Sequence, residues 1–274
     1  MSSAAMTTAA PEFRAAGTEL SERRRNGVSR GPLIDIGSAA DAGIAAAAQG
    51  VATPQVRHLA TLGGNLAQRS RCWYFRNPHI DCLKKGGADC PARNGNHLYS
   101  VAFDLGPCVA PHPSTMAAAL SAYEATITTD RRSGLSIADL LGDGSNAAAD
   151  HALASGEMIR KIVLQIPLAG ERALYKRAIS RSYAEWPLVE VCARAVVANG
   201  TFQFVRIAAG GIAPVPLRLS TSEAALKDKP ANAATIAEAA RQASAGAKPL
   251  PMTGYKLDLL SGLVRDVMEQ LAAA

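Results

Sequence analysis

The sequence predicts an α+β fold: helices and one long irregular loop, then a meander of antiparallel strands, then a helical tail. Three observations carry this expectation. Apolar and β-branched runs bounded by Gly, Pro and Asn follow one another between residues 159 and 209. Near the C-terminus, Leu257, Leu260, Leu263, Val264, Val267 and Leu271 recur at helical spacing. Between about residues 70 and 110 neither period holds, and Gly, Pro, Asn and charge dominate.

Taken in order, residues 1 to about 30 are rich in Ser, Ala, Arg and Gly and predict little regular structure. "PLIDIG" is a short strand bounded by Pro and Gly, and "AADAGIAAAAQGVA" is a helix that stops near Gly50. "TPQVRHLATLGGNLAQRS" follows, with "GGN" expected as a backbone turn in unusual dihedrals. After the long loop, "PSTMAAALSAYEATITT" is a helix leading into a strand, with "SIADLL" behind it. A meander is expected from strands at 159–167, 173–179, 188–198 and 202–209, the last two joined by "ANGT". "GGIAPVPLR" is a Gly/Pro corner, and "SEAALKD", "NAATIAEAARQASAG" and the last twenty or so residues are helices. The alanine runs suit helices packed closely on their neighbours, and equally suit a compositional bias of the genome. No internal repeat is present.

Composition bounds the function. A chain of 274 residues, 48% of them hydrophobic, can build one large or two modest domains with real cores. The net charge is +6, yet the densest basic cluster, "ERRRNGVSR", has no aromatic residue within it. It predicts a solvated segment or a subunit-docking surface, and no nucleic-acid partner. No apolar run approaches the roughly 20 residues of a membrane-spanning helix. The N-terminus also lacks the charged-then-apolar pattern of an export signal. A cytoplasmic location is expected; the alternative is the periplasm, reached in the folded state with a signal-bearing partner.

Of the five cysteines, four fall at Cys72, Cys82, Cys90 and Cys108, as C-x9-C-x7-C-x17-C. The fifth, Cys192 in "LVEVCARAVV", is expected to be a buried strand residue. Structural zinc sites use tight Cys-x2-4-Cys knuckles, which fix half a tetrahedron on one turn. The long, unequal spacings here lack that signature, though they leave zinc open. Four thiolates can also hold a [4Fe–4S] cube, one per iron, gripped from separate turns. A loop near forty residues is far longer than compact domains hold unless something organises it. Around the cysteines, Gly86, Gly87 and Gly106 admit close backbone approach, and Pro91 and Pro107 stiffen the chain. Arg71, Lys84, Lys85 and Arg93 would offset thiolate charge.

The second motif is "ATLGGNL". Adjacent glycines let backbone N–H groups converge on one anion, and Thr and Asn add side-chain donors, so a phosphate or pyrophosphate is its natural guest. The spacing differs from the G-x-G-x-x-G of dinucleotide folds. The five histidines are scattered, and His112 and Asp139 have no evident partner, so no catalytic residue is assigned.

At this point the sequence resembles the flavin-binding subunit of the molybdenum hydroxylases, the xanthine dehydrogenase and aldehyde oxidoreductase family. It is most similar to the bacterial branch whose flavin subunit carries an extra cysteine loop for a [4Fe–4S] cluster. The likeness rests on "ATPQVRHLATLGGNLAQRSRCWYFRNP", "CVAPHPSTMAAAL", "YKRAISRSYAEWPLVEVCARA" and "IAAGGIAPVPLR", and covers about residues 50–274. It implies FAD, with the pyrophosphate held at Thr61, Gly63, Gly64 and Asn65, and cluster ligation by Cys72, Cys82, Cys90 and Cys108. It also implies a vanillyl-alcohol-oxidase-type FAD domain followed by antiparallel strands and helices. The division would be a shortened FAD subdomain at 1–50, an FAD subdomain with the iron–sulfur loop at 51–167, and a C-terminal domain at 168–274.

Departures from the family pattern lie at the N-terminus. "RAAGTEL" keeps Gly17 and Thr18 of a phosphate loop but has Ala16 for a glycine and Glu19 for an aspartate, and the strands expected after "LIDIG" are missing. Thr115 stands where the family has an Asp near the cofactor. Each hydrogen bond lost along FAD would weaken its hold by roughly 1 kcal/mol. The expected function is an electron-transfer flavin and iron–sulfur subunit of a heteromeric molybdenum hydroxylase that oxidises aldehydes or N-heterocycles. Its partners would be a large molybdopterin-binding subunit and a small [2Fe–2S] subunit. The alternative is a flavin-less [4Fe–4S] scaffold or electron wire in the same type of complex.

Overall fold

The computed structural model describes residues 12–14, 33–35, 42–182 and 184–273. The expected phosphate contacts Gly17 and Thr18, their neighbours Ala16 and Glu19, and the basic segment "ERRRNGVSR" lie outside the described residues. Strands β1 (Glu12–Arg14) and β2 (Leu33–Asp35) pair in parallel, and β2 is the strand expected in "PLIDIG". Helix α1 (Ala42–Gln49) ends just before Gly50, as expected. Helix α2 (Pro54–Leu59) has Pro at its first position and the Thr53 side chain accepting from the Val56 amide, a favourable start on both counts.

The short helices α3 (Leu62–Leu66) and α4 (Trp73–Arg76) follow, then a 3-10 turn at Leu83–Lys85. Beyond the long loop come α5 (Thr115–Ala122), β3 (Thr126–Thr129), α6 (Ile137–Leu141) and β4 (Ile159–Val163). Here the structure corrects the expected meander. β4 pairs antiparallel with β3 in a separate two-stranded sheet. Its "IRKIV" sends only Ile159 and Ile162 toward a core, so it suits a sheet covered on one side.

The main sheet runs β5 (Glu171–Ala178), β6 (Val189–Ala198), β7 (Thr201–Gly210), β8 (Leu217–Arg218), all neighbours antiparallel. Asn199 and Gly200 both take positive φ (52° and 68°), so "ANGT" closes β6 onto β7 with the tight hairpin turn these residues favour. The central strand β6 is buried on both faces. Val189, Val191, Ala193 and Ala195 enter one core, beneath α7 (Ser220–Leu226), α8 (Ala233–Gln242) and α9 (Tyr255–Ala273). Cys192 enters the other, with Ile44 of α1 and Met116 and Leu120 of α5. Period-two alternation thus sends one strand's side chains into two cores. On α9, Leu260, Val264, Val267 and Leu271 are buried as the helical spacing predicts, and Met268 joins them.

Candidate functional site

The four loop cysteines converge. Cys72, Cys82, Cys90 and Cys108 line one small void of about 10 Å3, room for about one water, with Phe75, Leu83, Lys84, Pro91 and Ala92 around them. Each arrives on a different piece of backbone. Cys72 precedes α4, Cys82 precedes the 3-10 turn, Cys90 precedes Pro91, and Cys108 follows Pro107. No carboxylate or imidazole lines the void. An all-thiol donor set in an apolar surround is the chemistry of iron–sulfur ligation. Among the described residues, no three His, Cys, Asp or Glu side chains are grouped as they would be around a single metal ion.

The thiols act on one another. Cys90 and Cys108 both line the void and act on each other, which lowers the Cys90 thiol and raises that of Cys108, and burial adds to the rise at Cys108. Burial raises Cys72, against the pull of the Phe75 and Tyr74 amides. Cys192 stands apart, fully buried on β6 and pushed up to about 12 by burial, as its strand placement predicts.

Nearby cations are shared unevenly. Lys84 lowers the Cys108 thiol while its Nζ pairs with Asp150 Oδ1 at 2.8 Å. Arg93 lies in the field of Cys90 and Cys108, but its fork is taken by Asp104, at 2.8 Å to each oxygen. Lys85 instead donates to the carbonyls of Asn77 and Ile80, and Arg71 donates to Gln68 and lies over Trp186. Of the four expected cations, two therefore act on the thiols.

The loop is bolted to the C-terminal unit. Ala102 and Phe103 both donate to Ile212 O, Lys248 donates to Ala102 O, and Tyr255 Oη donates to Leu98 O. His97 Nδ1 bonds Ala92 O at 3.1 Å while its Nε2 accepts from the Met252 amide at 3.3 Å. Gly106 is needed for close approach, since a Cβ there would stand 2.3 Å from Gly144 O. Gly86 serves differently: it ends the 3-10 turn at φ 87° and has open space around it.

The Gly-Gly-Asn segment departs from expectation. Gly63 and Gly64 lie inside α3 and take no positive φ, so the motif is a helix start and not a turn. The reason is local: Thr61 caps the helix, its Oγ1 accepting from the Gly64 amide at 3.0 Å. Thr61 and Gly64 are exposed, and the amides of Leu62 and Gly63 make no backbone hydrogen bond to a described residue. First-turn amides of this kind favour an anion. Asn65 anchors the segment, its Oδ1 accepting from Ser114 Oγ at 2.7 Å and the Met116 amide at 3.3 Å. Its Nδ2 is the part left for a ligand.

Thr115 is buried at the start of α5, where its hydroxyl acts against burial by lowering the Glu190 carboxyl and the Tyr175 hydroxyl. Tyr175 Oη donates to Glu190 Oε2 at 2.7 Å, and burial raises the fully buried Glu190 carboxyl. An Asp at 115 would set a second carboxylate against Glu190, so threonine suits this surround. Nothing local in the chain points to this cluster, or to Asp150 as the partner of Lys84. Asp139, expected to be alone, forms a capping box with Ser136 at the start of α6.

Fold and motifs together define a two-part flavoprotein unit. Residues 6–168 match the FAD binding domain in molybdopterin dehydrogenase, and residues 173–271 match the CO dehydrogenase flavoprotein C-terminal domain. The chain belongs to this family. Among characterised proteins it is similar to the aldehyde oxidoreductase FAD-binding subunit PaoB of Escherichia coli (strain K12), with 33% identity over 182 residues. That alignment covers 64% of this chain and 56% of the relative, so the chain spans a little over half the length of the curated relative it matches. The fold also matches quinoline 2-oxidoreductase from Pseudomonas putida 86, with TM-score 0.59 at 17% identity, over 96% of this chain and 90% of that one. The CO dehydrogenase of Hydrogenophaga pseudoflava gives TM-score 0.59 at 20% identity over the same shares, 96% and 90%. Among the described residues no helix is long and apolar enough to cross a membrane.

Proposed function

We propose that this chain is the electron-transfer subunit of a heteromeric molybdenum hydroxylase acting on aldehydes or N-heterocycles. It would work beside a large molybdopterin-binding subunit and a small [2Fe–2S] subunit, in the cytoplasm or exported folded with a partner. The observation that carries the reading is the convergence of Cys72, Cys82, Cys90 and Cys108 on one apolar void, in a chain of the FAD-domain family. A four-iron cube takes one thiolate per iron, so its four ligands are not gathered on one metal atom. The dispersed grip seen here suits that demand.

Cys72, Cys82, Cys90 and Cys108 would hold a [4Fe–4S] cluster, with Lys84 and Arg93 offsetting its thiolate charge. Thr61, Gly63, Gly64 and Asn65 would hold the FAD pyrophosphate through the open amides of α3, with Gly17 and Thr18 contributing from the N-terminal side. When bound, FAD exchanges electrons in pairs or singly and the cluster exchanges them singly. The protein's part is to hold each group and keep water from the thiols. The boundaries proposed for the three parts are 1–50, 51–167 and 168–274.

A second reading, a [4Fe–4S] scaffold without flavin, is favoured by one observation. Among the described residues, 61–65 open onto the surface and line none of the cavities of about 420, 10 and 170 Å3. Iron, acid-labile sulfide and flavin analysis of the anaerobically purified chain separates the readings. About four irons and four sulfides per chain with flavin absorption bands supports the first, and the same cluster content without flavin supports the second. Serine at any of the four loop cysteines should lower iron content, while Cys192→Ser should leave it unchanged. Zinc without sulfide would defeat both.

A further inference from the structure

Among the described residues, Lys84 is the one cation that lines the cysteine void itself. Its side chain is 7% exposed, so water and salt do little to screen its charge. The ammonium has three protons, and two acceptors meet it among the described residues: Asp150 Oδ1 at 2.8 Å and Ala149 O at 3.0 Å. Ala149 and Asp150 line a neighbouring cavity of about 170 Å3 and not the void, whereas Lys84 and Cys108 line both. The ion pair is thus an oriented dipole, with its positive end at the thiols and its negative end behind.

Asp150 does not cancel Lys84 one for one. Its second oxygen is taken by Arg69 Nε at 2.9 Å, so a single carboxylate is divided between two cations. Arg93 is the contrast: both of its terminal nitrogens fork onto Asp104 at 2.8 Å, in a half-exposed pair. The charge of Lys84 is felt at sulfur. Cys90 and burial raise the Cys108 thiol, while the Ala110 amide and the Lys84 ammonium pull it down.

We infer that the Lys84–Asp150 pair sets the reduction potential of the group held by the four thiols, the ammonium raising it and the carboxylate tempering the rise. The inference rests on the [4Fe–4S] reading proposed above. A cube on four thiolates is negatively charged, and taking up one electron adds one more unit of negative charge. A buried cation at the void favours the more negative form and so draws the electron onto the cluster. The third Lys84 proton is left to meet a sulfur, and hydrogen bonds to the sulfurs are a further lever on the potential. Lys84 is therefore a tuning residue that neither ligates nor carries the electron.

The test is a redox titration of the anaerobically reconstituted full chain at pH 7, with dithionite as reductant and the reduced cluster followed by electron paramagnetic resonance. Iron and sulfide are assayed first in every form. Lys84→Met should lower the midpoint by a roughly tenfold change in the reduction equilibrium, about 59 mV for one electron. Lys84→Arg, which keeps the charge, should stay within roughly threefold of the native chain, and Asp150→Asn should raise the midpoint by roughly threefold or more. A residue that only packs the void would not move the midpoint in opposite directions from its two ends. Asp150→Asn keeps the shape of the side chain and decides the sign by itself if Lys84→Met retains too little cluster to titrate. Unmoved midpoints, or a fall in Asp150→Asn, in a chain with full iron and sulfide would overturn this inference alone. A native chain that takes up no iron and sulfide would defeat the cluster reading and the inference with it.

Discussion

Lys84 and Asp150 form a buried ion pair that fastens the cysteine loop to the segment after α6: Nζ lies 2.8 Å from Oδ1, with the side chains only 7% and 6% exposed. Arg69 Nε closes on the other carboxylate oxygen at 2.9 Å. Lys84 lines the cysteine void, and with Asp150 and Cys108 it also lines a neighbouring cavity of about 170 Å3. Removing the carboxylate alone would leave the Lys84 ammonium beside the thiols with the Ala149 carbonyl, 3.0 Å away, as its acceptor and no countercharge. Asp150→Ala should therefore lower stability by roughly 3 kcal/mol, as breaking one side of a buried pair does. Asp150→Asn, which keeps an acceptor for Lys84, should cost less. Urea unfolding of both variants checks the order, and an Asp150→Ala midpoint equal to the native one would show that the pair does not hold the loop.

A second prediction concerns Gly106. Its missing Cβ would sit 2.3 Å from Gly144 O and 3.1 Å from the Gly144 carbonyl carbon, backbone that cannot rotate away. Gly106→Ala must push the chain next to Pro107 and Cys108 out of place. It should lower both thermal stability and the iron retained after anaerobic reconstitution. Gly86→Ala acts only through its left-handed φ of 87°, with nothing within 4 Å, so it should cost about 1 kcal/mol and leave iron content nearly unchanged. Comparing the two by thermal melts and iron assay separates close approach from backbone preference.

How far the sequence could be read depended on whether each signal was local. The stripe on α9 and the Asn-Gly hairpin were legible because periodicity and turn chemistry lie within a few residues. The four loop cysteines were legible as a set by their density, though nothing in their spacing pointed to Asp150 as the partner of Lys84. The glycine pair forms a helix start and not the expected turn because the Thr61 cap outweighs the glycines' preference for irregular backbone. The composition of β4 fits any strand, the meander included, and only its one-sided burial selects β3 as partner.

His112 gives the fold a pH dependence of known sign. Burial lowers its imidazole from about 6.5 to about 4; the Asp150 carboxylate raises it, and Lys84 and His151 lower it further. Between those values the unfolded chain takes up a proton that the folded chain refuses. The contribution is therefore whole above about pH 6.5 and is lost as the pH falls toward 4, by about 3 kcal/mol at most. His112→Gln should flatten this part of the stability profile. Urea midpoints at pH 7 and pH 4.5 measure it, and equal pH slopes in variant and native chain would remove His112 as the cause.

The last prediction concerns the joint between the main sheet and α5. Arg194 on β6 forks onto Glu171 on β5, with Nε to Oε1 at 2.6 Å and Nη2 to Oε2 at 3.0 Å, and both side chains are almost wholly buried. The two are not direct cross-strand partners: Arg194 faces Ala173 and Glu171 faces Val196, so the contact is a diagonal that exists only in this register. Nη1 reaches Ala122 O at the end of α5, 3.2 Å away, and the guanidinium lies 4.7 Å from the Tyr123 ring centroid. Removing either partner leaves the other charge buried and unpaired, so Arg194→Met or Glu171→Leu alone should each cost about 3–5 kcal/mol. The double variant has no stranded charge and fills the space with apolar atoms, so it should cost well under the sum of the two. Urea denaturation of all four forms gives a coupling energy expected above about 2 kcal/mol. Strict additivity would mean that the α5 contacts, and not the ion pair, hold this joint together.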